Sequence, residues 1–146
     1  MSKSNTFETA FLNHIFANLA IANIGDASGV LPSATAGSLY IALHTADPGE
    51  AGTATTSEAT YTSYARVAVV RSAVGWTVAG NQVSNAALVT FPACTAGTNT
   101  ITYFSITTTS SGASVILFRG ALSASLAVSS GITPQFAIGA LTVTED

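Results

Sequence analysis

The sequence predicts an all-β fold: a jelly-roll-like β-sandwich of about eight antiparallel strands, preceded by one N-terminal α-helix. Two observations carry this. Only residues 6–23 show helical periodicity, and beyond them short apolar runs are punctuated by turn signals every eight to fifteen residues. No helical segments separate those runs, as βαβ units would require. The implied organisation is an N-terminal arm and helix over residues 1–25, followed by a β-sandwich over 26–146.

Each element has its own signal. In TFETAFLNHIFANLAIAN (6–23), Phe7, Phe11, Leu12, Ile15, Phe16, Leu19 and Ala22 recur at three- and four-residue steps and make one apolar face. Asn5 with Glu8 fits a reciprocal N-terminal cap, and Gly25 can take the left-handed conformation that ends a helix. That face either packs on the chain's own sheet or docks on another chain. Residues 25–38 read as a connector. In 39–45, Leu39, Ile41 and Leu43 alternate with Tyr40, Ala42 and His44, which is a strand pattern. Asp47-Pro48-Gly49 is a turn, and 46–60 carries no large apolar side chain, so it is expected as a long exposed loop. Residues 61–72 form a second strand region, and 75–78 with 82–84 are hairpin arms around Gly80-Asn81. Residues 87–91, 99–108, 114–119, 121–128 and 135–144 supply further strands.

Composition narrows the function classes. Of 146 residues, 48% are hydrophobic but 26 are Ala, 38 are Ser or Thr, and only 8% are charged, against about 25% in an average domain. Four basic residues and a net charge of −3 cannot build the cationic surface that nucleic acid requires, so no nucleic-acid partner is expected. Surfaces with so few charges tend to associate. The mean hydropathy of +0.48 invites a membrane reading, yet no 18-residue run lacks polar or helix-breaking residues, so no membrane partner is expected. The N-terminus imitates a signal peptide, but Glu8, Asn13, His14 and Asn18 interrupt its apolar stretch, which points to a chain made in the cytoplasm.

Residue chemistry offers little to an enzyme. The single cysteine, Cys94, permits no internal disulfide and has no neighbouring base in sequence to activate it. His44, Asp47 and Glu50 would hold a metal only if the loop folded its oxygens inward, and turn chemistry explains the two acids without one. There is no Gly-x-Ser-x-Gly elbow and no phosphate-binding glycine loop. Accordingly no catalytic residue, metal or cofactor is expected. The arginines are more informative, because the 47 residues from Ser72 to Phe118 carry no charge at all. Against so neutral a background Arg66, Arg71 and Arg119 are candidate partner contacts, each able to pair with a carboxylate through two donors. Phe7, Phe11 and Ile15 on the helix join them. Trp76, Tyr61, Tyr64 and Tyr103 read as core or rim packing rather than a sugar platform.

The runs LYIALHTADPGEAG (39–52), YARVAVVRS (64–72) and GWTVAGN (75–81), with the closing stretch from Arg119-Gly120 through residues 123–143, resemble tailed-phage virion proteins. Such proteins are variously labelled tail-fibre-like or capsid decoration, and the likeness runs closest to capsid cement proteins such as that of a Bordetella phage. The resemblance implies a non-enzymatic structural protein of the bacteriophage virion, lying on the outer capsid surface. There it would bind the major capsid protein and copies of itself, as a homodimer or a trimer, and stabilise the shell by bridging capsid subunits. The alternative it implies is a tail or tail-fibre component involved in adsorption. Its motifs are structural, so no catalytic or ligand residues come across.

Overall fold

The computed structural model describes residues 2–146, which form two compact units woven from alternating stretches of chain. One comprises residues up to 38 with 69–88 and 136–146, and the other comprises 39–68 and 89–135. The class is as the sequence pattern predicts: antiparallel β-structure after a single N-terminal helix. Among the described residues there are nine strands in sheets of four, three and two.

In the first unit, helix α1 spans Asn5–Ala17 and packs over the hairpin of β3 (Trp76–Ala79) and β4 (Gln82–Asn85). The hairpin turns at Gly80, whose φ of +62° suits a residue without Cβ, and its register pairs Trp76 with Asn85 and Ala79 with Gln82. β9 (Thr142–Thr144) adds to the far side of β4. The helix buries Glu8, Leu12 and Phe16, one residue per turn. Phe16 meets Trp76 edge-on with ring centroids 4.7 Å apart, and Leu12, Val83 and Leu141 complete this core. Asn85 fastens the returning chain: its amide nitrogen donates to the Ala87 and Ala137 carbonyls at 2.8 Å, and its oxygen accepts from the Leu141 N–H at 2.9 Å.

The helix is shorter than its apolar periodicity suggests. Ser4, not Asn5, is the N-cap, with its hydroxyl accepting the Phe7 N–H. The helix ends at Asn18, five residues before the expected limit, because Asn18 adopts the left-handed conformation (φ 55°). Its side chain then clasps the Ser33 backbone, donating to the carbonyl and accepting from the N–H at 2.9 Å each. Those bonds hold the chain where helix propensity alone would have carried it on to Asn23. Gly25, the expected terminator, lies in the connector beyond.

In the second unit, β1 (Ser38–His44) lies between β6 (Asn99–Thr107) and β2 (Val67–Val70), the strand at which the chain crosses between units. β7 (Ile116–Val128) runs along the other side of β6, and β5 (Val89–Thr90) pairs with β8 (Gln135–Phe136) in a separate small sheet. Ile41, Leu43, Ile101, Ile106, Phe91 and Val128 form the core. β1 is buried on both faces from Ile41 to His44, although its sequence alternates.

The cause is the 46–60 segment, which is a folded strap rather than an exposed loop. It returns along β1: the Thr45 N–H donates to the Ser57 carbonyl and the Ala59 N–H to the Leu43 carbonyl, each at 2.8 Å. Ala54 and Ala59 are fully buried by that contact, and Pro48 is buried as well. Small side chains let the strap lie close. A Cβ on Gly52 would stand 2.0 Å from the Pro48 carbonyl oxygen, so only glycine fits there. The predicted 61–72 strand is also curtailed to Val67–Val70. Residues 61–66 instead follow an irregular path, with Ser63 at positive φ, that turns Tyr61 and Arg66 inward.

Candidate functional site

The six residues singled out from the sequence do not converge on one site. Phe7, Phe11 and Ile15 share a helix flank one position round from the buried Glu8, Leu12 and Phe16 line. Phe7 is exposed, Phe11 and Ile15 are half-buried, and the two rings sit 6.5 Å apart. The single apolar face expected of the helix is therefore divided. One stripe builds the core, and a neighbouring stripe stays partly exposed.

The three arginines have different duties. The Arg71 guanidinium lies across the C-terminal end of α1, donating to the Ile15 carbonyl at 2.6 Å and the His14 carbonyl at 2.7 Å. These are among the carbonyls that a helix end leaves without backbone partners, and a cation there also complements the helix dipole. A further bond reaches the Ala36 carbonyl, so the charge serves the connector too. Arg119, in β7, makes a surface pair with Asp47, Nη1 lying 2.6 and 2.8 Å from the two carboxylate oxygens. Both side chains keep substantial exposure, 29% and 42%, so this charge pair lies at the surface.

Arg66 is buried, its side chain only 2% exposed. It grips Glu58 with two bonds, Nε to Oε1 at 2.7 Å and Nη2 to Oε2 at 2.8 Å. Its remaining donors reach the Gly112 carbonyl at 2.8 Å, the Thr109 carbonyl at 3.1 Å and the Ser114 hydroxyl at 3.3 Å. The hydrogen bond to Glu58 is the main reason its pKa is raised. Tyr64 completes the cluster: its hydroxyl accepts the Leu43 N–H and donates to Glu58 Oε1, both at 3.0 Å, while burial drives its pKa upward. Three stretches of chain are thereby locked together by one internal guanidinium.

Beside it is a second buried polar node, centred on His44, which the sequence offered only as a conditional metal ligand with Asp47 and Glu50. His44 is fully buried. Its Nδ1 lies 2.8 Å from the Thr56 carbonyl, which assigns the proton to that nitrogen, and Nε2 accepts from the Ser105 hydroxyl at 2.7 Å. Burial lowers its pKa. The geometry is that of a satisfied core histidine: both ring nitrogens are engaged, and Asp47 is directed to Arg119 instead. Cys94 is likewise buried, its thiol directed to the carbonyls of Ala96 and Gly97. The signal that could have found these nodes is the lone arginine and lone histidine in an apolar strand context, each needing a partner if buried.

What this arrangement can do is present surface. Buried polar side chains such as Arg66, His44 and Asn85 hold irregular segments in place, while apolar side chains including Leu19, Leu31 and Val74 of the first unit and Val115 of the second stand exposed. A family model described as podophage GP4 fiber I protein gp80 matches residues 2–144. The chain belongs to that family. No match is found among curated proteins. Membership in the gp80 family makes this a tailed-phage virion structural protein, as the resemblance noted in residues 39–143 implied at that broader level.

Proposed function

We propose that the protein is a non-enzymatic structural unit of a podophage fibre, held in place by contact surfaces rather than by any bound cofactor. The observation that carries this reading is the gp80 family match over nearly the whole chain. Physical support comes from the scarcity of charge, which suits extensive contact with neighbouring subunits, and from the exposed apolar side chains of the first unit. The Phe7, Phe11 and Ile15 flank and Arg119 are the proposed contact residues. Arg66 and Arg71 contribute by holding the second unit and the helix end in shape. Copies of the chain are expected to associate with one another as well.

A second reading, a cement protein on the outer head surface that bridges major capsid subunits, is favoured by the strand and turn motifs of residues 39–81 and 119–143. Gold-labelled antibody electron microscopy on intact virions separates the two. Label at the tail supports the fibre, and label spread over the head supports cement. Heads lacking the protein would then burst more readily on heating or osmotic shock. Virions without label at either place would overturn both readings.

A further inference from the structure

β7 is the edge strand of the four-stranded sheet, and at 13 residues it is more than twice the usual length of about 5–6. Folded proteins usually keep such edges short or guard them with Lys, Pro or inward-pointing charge, because unpaired backbone groups invite another strand. From Gly120 to Val128 this edge carries no charge and no proline. Its register with β6 also breaks in the middle. Tyr103 pairs with Ala121 and Ile101 with Leu126, so residues 122–125 stand opposite Thr102 alone and cannot all find ladder partners.

The residues in and around this bulge read Ala-Leu-Ser-Ala-Ser-Leu-Ala over 121–127, the same in both directions about Ala124. Ala121, Ser123, Ala124, Ser125 and Ala127 are exposed, and Leu122 and Leu126 are half-buried, so the centre of the stretch is open to solvent. We propose that this stretch is a homotypic docking edge, to which a second copy of the chain adds its own residues 121–127, antiparallel, about a two-fold axis at Ala124.

The occupant follows from the sequence of the edge. An antiparallel pair centred on Ala124 sets Leu122 against Leu126 of the second copy, Ser123 against Ser125, Ala121 against Ala127, and Ala124 against itself. Every one of these pairings is compatible with its own kind. Leucines meet leucines on one face, a serine hydroxyl both donates and accepts, and alanine permits close approach. Each contact occurs twice, as an isologous interface requires. Because the pairing is isologous, each copy covers the other's open edge, and the assembly closes at two copies instead of propagating a ribbon. This deepens the reading above, resting on it only for the expectation that copies associate, and it holds for a fibre or a head location alike.

Sedimentation velocity on the purified chain tests the idea without any virion, so its failure is distinct from failure of the assigned location. The wild type is expected to sediment as a dimer. Ser123→Lys with Ser125→Lys sets two pairs of like charges face to face and should weaken association at least about tenfold. Ser123→Lys with Ser125→Glu sets each Lys against a Glu of the second copy and should restore the dimer in a salt-sensitive way. Ala124→Cys should form a disulfide-linked dimer on oxidation, since antiparallel partners sit roughly 4.5–5.5 Å apart, within disulfide reach. Cys94 is buried and does not compete. Unchanged circular dichroism and melting verify that each variant is folded. A monomeric wild type, a trimer or other assembly untouched by the double Lys change, or a Lys/Glu variant as weak as the double Lys would each overturn the proposal.

Discussion

Replacing Arg66 by Met keeps the length of the side chain and removes its charge from the interior of the second unit. Four groups then lose their donor: the Glu58 carboxylate, the Thr109 and Gly112 carbonyls and the Ser114 hydroxyl. Breaking a buried ion pair from one side costs about 3–5 kcal/mol, because the surviving charge is left without compensation. Glu58 retains 16% exposure and its bond from Tyr64, which moves the expected loss to the lower end, about 3 kcal/mol. For a chain of this size that is a fall in melting temperature of roughly 6–12 °C. Urea denaturation of Arg66→Met, Glu58→Gln and the double variant forms a mutant cycle. Each single change should be strongly destabilising and the double change much less so than their sum, since removing both charges leaves neither stranded. A loss under about 1 kcal/mol for Arg66→Met, or additive losses in the cycle, would show that the pair does not hold the fold. The same structure explains why Arg66→Glu is a poor probe of binding. It would set a second carboxylate against Glu58, so lost incorporation into particles would report unfolding. Arg119→Glu is the better probe, because an exposed pair contributes at most about 1 kcal/mol.

Other consequences are as direct. His44 has a pKa lowered by burial, so the unfolded chain binds its proton more readily than the folded one. The stability it contributes is complete above the unfolded value of about 6.5 and is lost as the pH falls below it. Melting temperatures at pH 7.5 and 5.5 should therefore differ more for the wild type than for His44→Gln, and equal differences would remove His44 as the cause. Arg71→Ala should leave the His14 and Ile15 carbonyls uncapped and reduce stability by about 1–2 kcal/mol, with faster amide exchange in the last turn of α1. Phe16→Ala empties the space against Trp76 and should cost about 3–5 kcal/mol in chemical denaturation. Gly52→Ala must push the strap away from the Pro48 carbonyl, and its signature would be increased proteolysis within residues 46–60 at modest protease concentration.

Much of the β-structure was legible because its signals are local. Alternation in 39–45, the Gly80-Asn81 turn between short apolar arms, and the runs over 99–108 and 114–128 each encode a strand within a window of a few residues. The structure joins the last two predicted pieces, 114–119 and 121–128, into one strand through Gly120. The helix was legible for the same reason, except for its end. That end depends on Asn18 bonding to Ser33 and on Arg71 reaching back from a distant part of the chain, neither of which any local window contains.

The partner-binding reading of the arginines shows the same boundary. Sequence alone singled out three guanidinium groups in a nearly uncharged chain as candidate partner contacts, each able to pair with a carboxylate. It also determined the all-β class and the lack of a cationic surface. Only the tertiary structure decided where each charge goes: Arg66 inward to Glu58, Arg71 onto the helix end, Arg119 outward to Asp47. It also decided that a strap of small residues covers His44, and that β7 ends its sheet with a bulged, uncharged edge. The physical reason is that periodicity and turn chemistry act between neighbours in sequence. Burial and pairing of charge are settled between segments tens of residues apart, and only after the chain has folded.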